Sequence, residues 1–123
     1  MLQDNSLIFA ESDADVAAST ILELDGSTLA RAFVFMTLPS GLTAASLTVK
    51  YGDVVANSAV TAIATETHAA TAVDLARGYM FFPLPVNAYK YAQVAIDITG
   101  TAAKNFVCGI TDAPDNTEVF FKA

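Results

Sequence analysis

Residues 91–99 read Tyr-Ala-Gln-Val-Ala-Ile-Asp-Ile-Thr. In an extended chain Ala92, Val94, Ile96 and Ile98 share one side, and Gln93, Asp97 and Thr99 share the other. Residues 46–51 repeat the pattern: Leu47, Val49 and Tyr51 oppose Ser46, Thr48 and Lys50. In residues 105–110, Phe106, Cys108 and Ile110 oppose Asn105 and Gly109. A period of two over six to nine residues marks strands with one buried and one wet face. These strands predict a core of Leu47, Val49, Val94, Ile96, Ile98, Phe106 and Ile110.

Outward from these three, short apolar runs recur at 7–9, 20–24, 32–38, 60–65, 78–84 and 119–121. Asp25-Gly26-Ser27, Pro39-Ser40-Gly41, Gly52-Asp53 and Thr111-Asp112-Ala113-Pro114 punctuate them. About eight short strands with regular turn signals define an all-β antiparallel sandwich or barrel. Helix signals are few. The Ala-rich stretch 56–76 reads as a strand plus a long loop, with one helical turn near Val73–Ala76. Two runs are apolar on both faces. Residues 32–38 set Phe33 and Phe35 against Val34, Met36 and Leu38, and residues 78–84 set Tyr79 and Phe81 against Met80, Phe82 and Leu84. Such strands need cover on both sides. Either the 56–76 stretch supplies it locally, or the second face meets another subunit.

The 123 residues suit one domain, 1–123, with an N-terminal arm over about 1–9 and a short apolar tail over about 119–123. Six basic against thirteen acidic residues give a net charge of -7. That balance leaves no footprint for nucleic acid. No apolar run reaches the ~18–20 residues of a membrane span. The first fifteen residues lack the basic and apolar regions of a signal peptide. One cysteine excludes a disulfide framework within the chain.

Candidates for chemistry are sparse. His68, with Glu66 and Ser58 nearby, has no distinctive spacing for acid–base work and reads as a loop or edge histidine. Cys108 sits on an inward face as a small hydrophobe. Glu11–Asp15 and Asp112–Glu118 are acidic turns without the glycine and glutamate spacing of a calcium loop. The expectation is a protein that is not an enzyme and carries no cofactor and no metal. Phe120 and Phe121 stand close to the chain's end and are expected to dock, on their own body or on a neighbour.

Several segments together carry a resemblance: Leu7-Ile8-Phe9, residues 17–25, Gly78, Leu84-Pro85, Tyr89-Lys90-Tyr91, Val94–Ile98 and Thr99-Gly100. The chain resembles the capsid cement, or decoration, proteins of tailed bacteriophages, of the Bordetella-phage type. The likeness spans most of the chain. It departs at residues 25–33, a compact DGSTLARAF where the family runs longer. The resemblance implies a jelly-roll-like sandwich that trimerises and binds the outer surface of a capsid assembled in the host cytoplasm, the major capsid protein being its partner. On that reading Phe33, Phe35, Met36, Tyr79, Phe81 and Phe82 are expected at the subunit interface. Leu7, Phe9, Phe120 and Phe121 are expected to contact the capsid or a neighbour. The alternative is a ligand- or carbohydrate-binding sandwich module, with Tyr79, Tyr89 and Tyr91 standing in for the absent tryptophan.

Overall fold

The alternating runs become strands in a computed structural model, which describes residues 8–24, 33–84 and 89–111. In chain order the elements are β1 (Ile8–Ser12), β2 (Leu22–Glu23), β3 (Phe33–Thr37), β4 (Leu42–Gly52), β5 (Val55–Ala56), β6 (Ala59–Val60), β7 (Ala64–Ala69), α1 (Ala72–Arg77), β8 (Tyr79–Pro83), β9 (Tyr91–Gly100) and β10 (Phe106–Thr111). Sheet A runs β1-β10-β3-β8 and sheet B runs β2-β9-β4-β7. Every pair is antiparallel. With the small β5–β6 ribbon set aside, the pairing is nested. The first strand pairs the last, the second the next to last, and so inward to β4 with β7. A long hairpin rolled in this way across two sheets is a jelly roll.

The two sheets turn their apolar faces together. Val34, Met36, Met80, Phe82, Phe106, Cys108 and Ile110 come from sheet A, and Leu22, Leu47, Val49, Tyr51, Ala92, Val94 and Ile96 from sheet B. The expected core residues lie there, with one nuance. Ile98 pairs with Ala45 near the end of the β4–β9 ladder and is only partly buried. Gln93 points to the opposite face and is buried all the same. Its Oε1 accepts from Val60 N–H at 3.2 Å, and its Nε2 donates to the Ser19 carbonyl at 2.9 Å. One long amide thus ties the β5–β6 ribbon and the 13–21 connection to the sheet.

The 56–76 stretch holds more structure than its sequence suggests. It contributes the ribbon, the edge strand β7 and the helix α1. Thr71 Oγ1 accepts from Asp74 N–H, and Asp74 Oδ2 accepts from Thr71 N–H, a capping box that offsets the poor helix propensity around it. Gly78, at φ +91°, ends the helix in a left-handed turn and sends the chain into β8.

Candidate contact surface

Because β3 and β8 alternate, one set of their large side chains faces the core and the other faces away. The register settles which. Phe35 pairs with Phe81 on β8 and with Gly109 on β10, while Phe33 pairs with Pro83 and with Thr111. Phe33, Phe35, Tyr79 and Phe81 therefore share the outward face of sheet A. Phe33 and Phe81 meet edge to face at 5.9 Å, and the Tyr79 and Phe81 rings stack at 6.0 Å. Both geometries suit ring quadrupoles.

Arg77 completes this surface. It is the last residue of α1, and the Gly78 turn lays its side chain back across β8. Its Cζ stands 4.5 Å from the Tyr79 ring centre and 5.1 Å from that of Phe81. Its Nε donates to the Tyr79 carbonyl at 3.0 Å, and a terminal nitrogen donates to Asp74 Oδ1 at 2.6 Å. The guanidinium is thereby oriented and its charge offset, so its flat face acts as further ring surface. Nothing in the sequence pattern pointed to Arg77. A basic residue just before a glycine that caps a helix, followed by alternating aromatics, is the signal that would have found it.

The expected interface residues divide. Met36, at 0% exposure, and Phe82, at 6%, lie in the core and are corrected accordingly. They occupy the inward positions of strands whose outward positions are also apolar, and residue type alone does not separate the two sets. Phe35 faces outward yet is only 1% exposed. Phe33, Tyr79 and Phe81 are half-buried. Phe9 is corrected as well: a bulge between Ile8 and Ala10 turns its ring into the core rather than toward a neighbour. Leu7, Phe120 and Phe121 lie outside the described residues.

The remaining candidates take structural places. His68 stands opposite Leu47 on edge strand β7, with its side chain turned inward. Its ring stacks on Phe82 with centres 3.6 Å apart, and its Nε2 lies 3.2 Å from Glu66 Oε2. It bridges the β7 and β8 edges of the two sheets. Cys108 is fully buried, and burial pushes its thiol well above the usual cysteine range, which disfavours the thiolate. Asp15 of the first acidic run accepts from Ile98 N–H at 2.8 Å, so it caps the sheet. Asp112–Glu118 lies outside the described residues. Among the described residues no three His, Cys, Asp or Glu are grouped to hold a metal. No helix among them is long and apolar enough to cross a membrane.

Two features were not read from the sequence. Tyr51 is fully buried and stacked on Tyr89 at 5.3 Å, and its Oη has no hydrogen-bond partner among the described residues. Burial, then the charge of Glu66, then Tyr89 push its ionisation above the usual phenol range. Val54, Val55 and Ile63 are exposed on and beside the β5–β6 ribbon. No protein-family model matches the chain, and no curated protein is similar to it.

Proposed function

We propose that this chain is a structural virion protein: a cement protein that binds the outer surface of a phage capsid, associates with itself as a trimer and stabilises contacts between capsomers. The aromatic face of sheet A is the observation that carries the reading. Phe33, Tyr79 and Phe81, with Arg77 laid over the last two, make a contiguous aromatic surface on a small acidic protein. Such a surface favours packing against another subunit. The trimer, the major capsid protein as partner and the virion location rest on the resemblance.

The sheet edges support association by faces rather than by added strands. A bulge interrupts β1, β2 is two residues long, β7 is mostly exposed and carries the charged Glu66 beside His68, and β8 ends in Pro83. Each is a known block to edge pairing. β1 begins opposite the end of β10, with Ile8 facing Gly109, so both chain ends depart from one end of sheet A. On this reading residues 1–7 and 112–123, which join the sheet there, would contact several neighbours at once. Weak contacts then act at high effective concentration, which suits a shell under outward pressure. The charge of -7 keeps the free protein soluble before it meets the capsid.

The test is co-sedimentation of the purified chain with undecorated heads of the phage that encodes it, together with light scattering of the chain alone. Saturable binding and a trimer mass are expected. Failure to bind such heads at tens of micromolar overturns the cement reading, and binding to a glycan array instead would favour a carbohydrate module.

A further inference from the structure

In sheet B, β9 lies between β4 and the two-residue β2, so most of its ten residues have no regular strand on the outer side. Residues 13–21, which connect β1 to β2, run along that stretch instead. Val94, Ile96 and Ile98 turn their main-chain groups toward them, as alternate residues of a strand do. Val16 and Ile96 exchange two main-chain bonds, at 2.9 and 2.8 Å. Ser19 N–H donates to the Val94 carbonyl at 2.9 Å, and Ser19 Oγ accepts from Val94 N–H at 2.9 Å. Asp15 Oδ1 accepts from Ile98 N–H at 2.8 Å. Side chains thus meet the amides of Val94 and Ile98, where a regular strand would offer carbonyls.

The register gives the reason. Six steps along this segment, from Val16 to Leu22, match four along β9, from Ile96 to Ala92. The excess throws the main chain out of step with β9, and short oxygen-bearing side chains fill the places its carbonyls miss. Hydrogen bonds, not burial, hold the segment. Within residues 13–20 no residue is buried, and only Val16 and Ser19 are half-buried. A segment with few apolar contacts and exposed hydrogen bonds opens at lower cost than the strands beside it. Its departure would leave the outer N–H and C=O groups of Val94, Ile96 and Ile98 bare, a template for another strand.

We infer that residues 13–20 are a strap that guards the outer edge of β9 against pairing with a second copy of this chain, and that Asp15 and Ser19 hold it shut. The sequence of the edge makes a second copy the fitting occupant. Val94, Ile96 and Ile98 are β-branched and favour an extended partner. Antiparallel self-pairing centred on Ile96 sets Val94 opposite Ile98 and Ala95 opposite Asp97, so no two like charges face each other. A twofold axis then lets each copy offer the same groups to the other. The inference rests on neither capsid binding nor the aromatic face, which belongs to sheet A.

The test compares the full-length wild type with the variant carrying Asp15→Ala and Ser19→Ala. Residue-resolved amide exchange should quicken by about tenfold or more at Val94, Ile96 and Ile98 and hold steady at Ala95 and Asp97, which turn to β4. Equal quickening at all five would show that the two side chains only stabilise the fold, and no quickening would show that they hold nothing shut; either overturns the strap. Light scattering at equal concentration should give the variant a larger mass than wild type. In a mixture of labelled and unlabelled variant chains, nuclear Overhauser contacts between chains should join β9 to β9. An unchanged mass, or contacts between chains made by other strands alone, overturns the guarding role. The variant carrying Asp15→Asn and Ser19→Thr keeps an acceptor oxygen at each place and should match wild type in both measurements. Quickened exchange there would overturn the part assigned to the two acceptors.

Discussion

Tyr51 holds a buried hydroxyl with no hydrogen-bond partner among the described residues. Removing such an oxygen while keeping the ring relieves a desolvation penalty and leaves packing intact. Tyr51→Phe should be as stable as wild type at pH 7, or more stable by up to about 1 kcal/mol. Chemical denaturation checks this, and a loss above about 2 kcal/mol would point to a hidden partner for the oxygen. The same residue sets an alkaline limit. In the unfolded chain tyrosine ionises near ~10 and cysteine near ~8.5. In the fold, burial raises both Tyr51 and Cys108. The unfolded state therefore binds fewer protons at high pH. The stabilisation is whole below about pH 8 and falls as pH rises past those unfolded values toward the folded ones. Tyr51→Phe should lessen that fall, as melting temperatures from pH 7 to 11 would record. Two isoleucines test the core. Ile96→Ala should cost about 2–5 kcal/mol through lost burial and a cavity, and Ile98→Ala clearly less. Equal losses would show that the partial exposure of Ile98 has no energetic consequence.

At the scale of elements, β4, β9 and β10 were legible because their large apolar residues alternate with small or polar ones, and alternation states which residues point inward, although the outward side of β10 is itself buried at Gly109 and Thr111. β3 and β8 were legible as strands, but their orientation was not. Phe33 and Met36 are equally apolar, so no signal in the chain distinguishes the face that meets sheet B. The 56–76 stretch was hard to read because Ala and Thr fit strand, helix and loop alike. Here local chemistry supplied the answer, the Thr71–Asp74 box and the Gly78 turn. Two glycines close the opposite end of the β4–β9 ladder. Gly41 and Gly100 have φ of +99° and +104°, and a Cβ on Gly100 would lie 2.3 Å from the Gly41 carbonyl oxygen. Gly100→Ala combines a left-handed backbone with a backbone clash, and a loss of about 2 kcal/mol or more is expected. Thermal unfolding measures it. An unchanged melting temperature would mean that this turn adopts another conformation in solution.

For the whole molecule, the question is which face associates. Phe35→Asp or Phe82→Asp would place a charge in a buried site and test folding instead. Phe81 is the better probe, because it is half-buried on the rim of the aromatic face and lies under Arg77. We expect Phe81→Asp to keep a β-rich far-UV spectrum while light scattering reports monomers. A wild-type chain that is itself monomeric at high micromolar concentration would refute association through this face. By itself the sequence determined most of the strands, their turns, the buried side of the cleanest three and the net acidity of the chain. These follow from local rules, a period of two and the backbone preferences of glycine and proline. The nested order of the strands, the inward turn of Phe9, Met36 and Phe82, and the meeting of Arg77 with Tyr79 and Phe81 were decided only in three dimensions. Each depends on which strand lies beside which. That choice is made by burying two apolar faces against each other across most of the chain, and no short stretch of residues encodes it.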